Sequence, residues 1–151
     1  MSIFLRRANQ GDEEATFRWV NDPLIRKFSH NTERVSRDAH NHWFTKTIQS
    51  DNCAYYLLES EQREPIGSIR FDLKGSQAKI NYLIDPCYHG QGLGLTLLKM
   101  GVENLKNEHP EIIEVFGQVY EDNLASIKIF EKLNYNVHKR EANLLTFASR
   151  L

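Results

Sequence analysis

This chain of 151 residues has only two cysteines and no long apolar run. Its acidic and basic residues are nearly equal in number, 20 and 19, so neither charge dominates. No stretch approaches the roughly 20 consecutive apolar residues that a membrane-spanning helix needs. The first residues have no cationic region followed by an apolar stretch, which is the pattern of a signal peptide. We therefore expect a cytoplasmic protein that has no membrane partner.

The two cysteines, Cys53 and Cys87, are too few and too far apart for a disulfide framework or a zinc site. Two reduced thiols agree with a cytosolic protein, and we expect no metal. The formal net charge is −1, so the chain has no overall electrostatic bias toward nucleic acid or an anionic membrane. A ligand that carries phosphate must therefore be held by local geometry.

The chain is long enough for one continuous hydrophobic core, and we expect a single domain over residues 1–151. Residues 3–5 read as a short strand. A helix with Asp12 as its cap should end before Asn21, and Pro23 opens a short second helix capped by Asp22. A third helix should follow Ser36 and run to about residue 49, with His40 on its buried face.

The rest of the chain alternates between strand and helix patterns. Period-two hydrophobicity predicts strands at 53–58, 66–73 and 78–84, which form an antiparallel meander. A helix over 92–106, a strand over 112–118, a helix over 123–133 and a hairpin over 135–151 should follow. The predicted fold class is α/β (α+β), a mixed and mostly antiparallel sheet of six to seven strands flanked by helices.

The strongest chemical signal is the segment His89-Gly-Gln-Gly-Leu-Gly94, where a strand passes into a helix. Alternating glycines let several backbone N–H groups point into one concavity, and the helix start adds its own N–H groups and a positive dipole. Such a site suits a diphosphate. The spacing does not match the G-x-G-x-x-G pattern of dinucleotide-binding folds, and the Gly-Lys-Ser/Thr of a P-loop is absent.

This segment resembles motif A of the GCN5-related N-acetyltransferases (GNAT), written Gln/Arg-x-x-Gly-x-Gly/Ala. A second segment, from Asn123-Leu-Ala-Ser126 to Asn134-Tyr135, is similar to another motif of that family. Three positions depart from the family pattern: His89 replaces Gln or Arg, Phe130 stands where many members have a tyrosine near the thioester sulfur, and Asn134 replaces a glycine.

The resemblance implies acetyl-coenzyme A as cosubstrate and direct attack of an amine on the thioester. It also implies an oxyanion donor among the backbone N–H groups beside a bulge in strand four, at Leu83 or Ile84. Asn123 caps its helix and contacts the cosubstrate, whereas Ser126 reads as a helix surface residue. The expected cosubstrate-binding residues are Leu83, Ile84, His89, Gly90, Gln91, Gly92, Leu93, Gly94, Asn123 and Phe130.

Phe130 carries no proton, and Lys79 occupies the position at which relatives have a glutamate. Tyr82 and Glu121 are therefore the catalytic candidates, and Tyr120, His30 or a chain of water molecules remain alternatives for the proton route.

The first third of the sequence resembles acetyltransferases that modify nucleotide-linked 4-amino sugars of pseudaminic- and legionaminic-type pathways. Asn21, Arg26 and His30 are the expected acceptor-binding residues, and Trp19 and Trp43 belong either to the acceptor site or to the core. The expected partner is a small-molecule amine, and the expected assembly is a monomer or homodimer. A protein N-terminal acetyltransferase of the ribosomal type and a non-catalytic acetyl-coenzyme A sensor remain alternatives.

Overall fold

The computed structural model describes residues 2–29 and 33–151. Seven strands and five helices account for most of this part of the chain. The strands are β1 (Ile3–Arg7), β2 (Cys53–Ser60), β3 (Pro65–Lys74), β4 (Gln77–Ile84), β5 (Glu114–Tyr120), β6 (Asn136–Glu141) and β7 (Leu144–Arg150). The helices are α1 (Glu13–Val20), α2 (Pro23–Arg26), α3 (Arg37–Ile48), α4 (Leu93–Glu108) and α5 (Leu124–Lys132).

The strands form one sheet in the order β1-β2-β3-β4-β5-β7-β6. Every neighbouring pair is antiparallel except β4 and β5, which are parallel and are joined by α4. The predicted meander, crossover helix and C-terminal hairpin are confirmed, as is the mixed and mostly antiparallel sheet.

The ladder between β4 and β5 is short. It contains the partners Gln77 with Glu114, Ala78 with Val115 and Lys79 with Phe116, and it ends there. Both strands continue beyond these residues, β4 to Ile84 and β5 to Tyr120. The two strands therefore separate in the middle of the sheet and leave a gap that opens toward their carboxyl ends.

Helix α4 packs on one face of the sheet through a stripe of buried leucines at Leu97, Leu98 and Leu105. Gly101 permits this close packing, because a Cβ there would lie 2.8 Å from Ile69 Cδ1. The same device brings α5 against β5, since a Cβ at Gly117 would lie 2.6 Å from the Phe130 ring. The helices that flank the gap are thus held close to their strands.

Helices α1 and α3 cover the other face. His40 is buried, its Nε2 lies 3.0 Å from Thr16 Oγ1, and burial lowers the pKa of its imidazole. The prediction that His40 is a satisfied core histidine is confirmed. Trp19 is only 1% exposed and therefore belongs to the core. The sequence had left open whether Trp19 and Trp43 lie in the core or in the acceptor site.

Asp12 occupies the predicted cap position before α1, but its side chain makes no capping hydrogen bond to that helix among the described residues. Residues Gln10–Asp12 form a 3₁₀ turn before α1, and Asn9 caps that turn by accepting from the Gly11 N–H. The Asp12 carboxylate instead accepts from the Asn9 N–H and pairs with Arg6 at 2.8 and 2.9 Å. The start of β5 is also two residues later than predicted.

Trp19 ties α1 to the end of β4. Its indole N–H donates to Asp85 at 2.8 Å, and Arg18 and the Cys87 N–H bind the same carboxylate. Burial alone would raise the pKa of Asp85, but these hydrogen bonds and the Arg18 charge hold it below its ordinary value.

Replacing Trp19 with phenylalanine keeps a buried ring and removes this donor. We expect Trp19→Phe to lower the free energy of unfolding by about 1.5–3 kcal/mol at pH 7, the usual contribution of a hydrogen bond to a charged group. A carboxyl with a lowered folded-state pKa stabilises the fold above its ordinary pKa, and that stabilisation is lost as the pH falls through the folded-state pKa. Urea titrations should therefore show the difference shrinking in acid, and an equal difference at every pH would contradict this explanation.

Candidate active site

The gap between β4 and β5 is part of a cleft of about 880 Å³. Its walls come from the two separated strands, the turn that leads into α4, and the first turns of α5. Helix α2 and the side chains Trp43, Tyr55 and Arg70 border it on the opposite face of the sheet. The cleft therefore passes through the sheet and has one half on each face.

The glycine turn lies at the mouth of the first half. Gly90 and Gly92 adopt φ values of 78° and 75°, which are strained for residues with a Cβ, and Gly92 directly precedes α4. Apart from the adjoining backbone, no atom of the described residues lies within 4 Å of the position that a Cβ would occupy at either glycine. The open space and the free N–H groups of the first turn of α4 form a cradle for an anion.

Gly94 has a different role from the other two glycines. A Cβ at this position would lie 2.8 Å from Ile129 Cδ1 and 3.7 Å from Tyr82 Cε2. Because Gly94 has no Cβ, the start of α4 can approach α5 and β4. Gln91 is exposed and, among the described residues, does not line the cleft.

The backbone of β4 offers polar groups to the cleft. The Asp85 N–H donates to the Ile66 carbonyl, and the register of β3 and β4 is continuous from Gln77 to Ile84. Antiparallel pairing alternates, so the N–H of Leu83 turns toward β3 while those of Tyr82 and Ile84 turn toward the gap. Of the two positions predicted for an oxyanion donor, this register favours Ile84. The bulge implied by the family resemblance is not seen along the described β3–β4 ladder.

His89 supports the end of β4. Its Nε2 lies 2.7 Å from the Ile84 carbonyl oxygen, and because that oxygen can only accept, Nε2 carries the proton. The ring lines the cleft and links the glycine turn to the strand that precedes it.

A short hydrogen-bonded chain crosses the cleft from β4 to α5. The Tyr82 hydroxyl lies 2.6 Å from Ser126 Oγ, and the Ser126 N–H donates to the Asn123 side chain at 3.3 Å. Ser126 is only 8% exposed, so its prediction as a helix surface residue is wrong. Burial raises the pKa of Tyr82 despite the hydrogen bond to Ser126, and the phenol therefore stays protonated at neutral pH.

Phe130 lies beneath this chain and is 1% exposed. Its ring stacks on Phe147 at a centroid distance of 5.2 Å and meets Tyr82 edge-on at 6.2 Å and Tyr135 edge-on at 5.0 Å. Phe130 thus supports the ring of Tyr82, whose hydroxyl belongs to the cleft lining.

The second half of the cleft is aromatic and cationic. Trp43 is 38% exposed, and the Arg70 guanidinium lies 5.0 Å from the centroid of its ring. The second tryptophan that the sequence left open therefore lines the cleft. The cationic side chains of the whole lining are Arg26, Arg70, Lys79, Lys128 and Lys132. No aspartate or glutamate of residues 2–29 and 33–151 belongs to the lining.

The remaining predicted site residues occupy different places. Arg26 lines the cleft and donates to the Glu33 carbonyl. The amide of Asn21 donates to and accepts from the Val35 backbone, at 2.9 and 2.8 Å, and holds the loop before α3. Glu121 pairs with Arg140 at 3.4 Å, outside the described lining. His30 lies outside the described residues.

Neither a metal centre nor a membrane span is found in the described part of the chain. Residues 2–29 and 33–151 contain no group of three metal-ligating side chains placed to hold an ion. No helix within the same residues is long and apolar enough to cross a bilayer.

Solved structures share this fold closely. A domain from Methanocaldococcus jannaschii superposes with a TM-score of 0.86 at 24% identity, over 99% of each chain. A spermidine N-acetyltransferase from Vibrio cholerae, in complex with CoA and spermine, gives 0.87 at 15% identity, over 98% of this chain and 95% of that one. An aminoglycoside acetyltransferase in complex with coenzyme A gives 0.82 at 18% identity, over 99% and 95% of the two chains.

Sequence comparison gives the same family. An uncharacterized protein of M. jannaschii is 25% identical over 141 residues, which cover 91% of this chain and 29% of that protein. The chain therefore spans less than a third of the length of this curated relative. The family model described as an acetyltransferase (GNAT) domain matches residues 2–136. The chain belongs to the GNAT acetyltransferase family.

Proposed function

We propose that this chain transfers an acetyl group from acetyl-coenzyme A to a primary amine by direct attack. The observation that carries the proposal is the glycine cradle at the start of α4, which opens into a gap between two separated parallel strands. The diphosphate suits the cradle formed by residues 90–94. The amide groups of the pantetheine arm suit the backbone N–H and C=O of Tyr82 in β4, which turn toward the gap.

The proposed step uses three features of the chain. The Ile84 N–H donates to the oxygen that becomes negative when the amine attacks the thioester carbon. The carbon–sulfur bond then breaks, and Tyr82 gives its proton to the leaving thiolate while Ser126 donates to the phenolic oxygen. The proton lost by the amine passes through water to the Tyr82 phenolate and restores its hydroxyl. Holding both reactants in one cleft supplies much of the rate enhancement.

The charge of the cleft supports an amine that is neutral when it attacks. Nearby cations disfavour a protonated amine, so the lysine and arginine side chains of the lining lower the pKa of the bound acceptor. A strong general base is then unnecessary. This agrees with the position of Glu121, which pairs with Arg140 away from the lining.

We propose a nucleotide-linked 4-amino sugar as the acceptor. Arg26, Arg70 and Lys79 suit phosphate groups, and the exposed ring of Trp43 suits a sugar or base. The structurally similar enzymes named for spermidine and aminoglycosides act on cationic amines. A cationic acceptor fits poorly in a lining to which the described residues contribute no carboxylate.

An acceptor screen tests this proposal. Thiol release from acetyl-coenzyme A is measured with a nucleotide-linked 4-amino sugar, a ribosomal-protein N-terminal peptide and spermidine. We expect turnover on the sugar to exceed turnover on the other two by at least about 100-fold in kcat/KM. Preference for the peptide would replace the acceptor with a protein N-terminus. Tight binding of acetyl-coenzyme A without turnover on any amine would instead indicate a sensor.

A further inference from the structure

We infer that the second half of the cleft selects amines that also carry an anionic group, a phosphate or a carboxylate, and that Arg70 binds this group. The inference rests on the proposed function, because it concerns the acceptor of the same transfer. It goes further in naming the residue that determines specificity.

Arg70 and Lys79 lie on the face of the sheet opposite α4. Side chains alternate along a strand, and Tyr82 of β4 contacts the α4 face, so Lys79 and Asn81 project from the other face. Asn81 confirms this by donating to Asp72 at 3.1 Å, beside Arg70 in β3. The sheet therefore separates these cations from the glycine cradle, and they are placed for the acceptor rather than for the diphosphate of the cosubstrate.

Contacts hold the Arg70 guanidinium in a fixed plane. It lies 5.0 Å from the centroid of the Trp43 ring, and Nε and Nη2 donate to the Asp72 carboxylate at 3.1 and 3.4 Å. No hydrogen bond occupies Nη1 within the described structure. The side chain is 23% exposed, so a hydrogen bond from it to an anion is partly shielded from water and correspondingly strong.

Lys79 adds a second cation to the same face. It is the cross-strand partner of Asp72 in the β3–β4 ladder and lines the cleft together with Arg70. Asp72 binds Arg70 from outside the described lining, so the lining offers an acceptor these two cations and, among the described residues, no carboxylate. A polycationic acceptor would be repelled here, whereas an anion would be bound.

The test uses three amines that share the same sugar ring and the same amino position and differ in their anionic group: glucosamine, glucosamine 6-phosphate and glucosaminuronic acid. We expect the wild-type protein to prefer the phosphate or the carboxylate by about 10- to 100-fold in kcat/KM, mainly through KM. Arg70→Gln should remove this preference without changing the KM of acetyl-coenzyme A, and Arg70→Lys should restore part of it. The two anionic amines show whether phosphate or carboxylate is favoured.

Arg37→Gln is the matched control. Arg37 also lies over an aromatic ring, 4.5 Å from the centroid of Phe17, and also pairs with a carboxylate, Glu14, but it lies outside the described lining. This variant should keep the wild-type preference. If Arg70→Gln keeps it too, or loses activity equally on all three amines, the inference is wrong.

Calorimetric binding separates this inference from the proposed function. The same three amines are titrated into protein saturated with coenzyme A, where no turnover is needed. Preferential binding of the anionic amines that depends on Arg70 would support the inference even if no acetyl transfer occurred. Turnover without any anionic preference would overturn the inference and leave the proposed transfer intact.

Discussion

Replacing Gly92 with valine is expected to weaken the binding of coenzyme A by at least about 100-fold, which corresponds to about 2.8 kcal/mol. A β-branched residue at φ 75° distorts the turn that aims the N–H groups at the diphosphate. Its side chain also enters the open space in which that anion would lie. Isothermal titration calorimetry with coenzyme A measures the effect.

Gly75→Val is the control that separates two effects of the Gly92 substitution: the loss of the anion cradle and the strain of a side chain at a positive φ. Gly75 has φ 61° in the turn between β3 and β4, and, as at Gly92, a Cβ there would meet no described residue within 4 Å beyond the adjoining backbone. Both variants should lose a similar amount of stability, about 1–2 kcal/mol from the left-handed conformation. Acetyl-coenzyme A should raise the Tm of Gly75→Val as it does for the wild type, but not that of Gly92→Val. Equal affinity of the two variants would show that the turn does not bind the diphosphate.

Tyr82→Phe is expected to lower kcat by about 100-fold or more, the usual contribution of a general acid, with little change in the KM of acetyl-coenzyme A. The ring and its packing against Phe130 are retained, and only the hydroxyl that meets Ser126 is lost. An acid must be protonated to act, and burial raises the pKa of Tyr82. In the wild type, the alkaline loss of kcat should therefore begin only above about pH 10, the ordinary tyrosine value.

Tyr135→Phe is the control for this prediction. The Tyr135 ring also meets Phe130 edge-on, and burial also raises the pKa of its hydroxyl, but it does not belong to the described lining. Its kcat should stay near the wild-type value. A Tyr82→Phe enzyme with unchanged kcat, or an equal loss in Tyr135→Phe, would remove Tyr82 from the proton route.

Local patterns in the sequence were sufficient to predict most of the fold. Alternation along residues 66–73 and 78–84 predicted two neighbouring strands, and the glycines before Leu93 predicted the start of α4. Each of these patterns lies within one short segment of the chain, so the segment's own sequence is enough to predict its strand or helix. The sequence placed Asp12 correctly before α1 but did not show that its carboxylate is occupied by the Asn9 N–H and by Arg6, which belong to the preceding turn and strand.

The inner arrangement of the site depends on residues far apart in sequence. Ser126 reads as a surface residue by its position in α5, but it is buried and its hydroxyl meets that of Tyr82, which is 44 residues away in the sequence. The second half of the cleft likewise depends on distant residues. It requires the β3–β4 register that pairs Asp72 with Lys79 and the packing of Trp43 on Arg70. Net charge, at −1, gave no sign of this cluster.

The most direct test of the account is a single-turnover measurement with stoichiometric acetyl-coenzyme A and the anionic amine preferred in the screen. Thiol release, the mass of the amine and the intact mass of the protein are followed together. Direct transfer predicts one free thiol for each acetylated amine and no acetyl group on the protein at any time. An acetylated protein intermediate, or bound acetyl-coenzyme A that never releases its thiol to an amine, would contradict it.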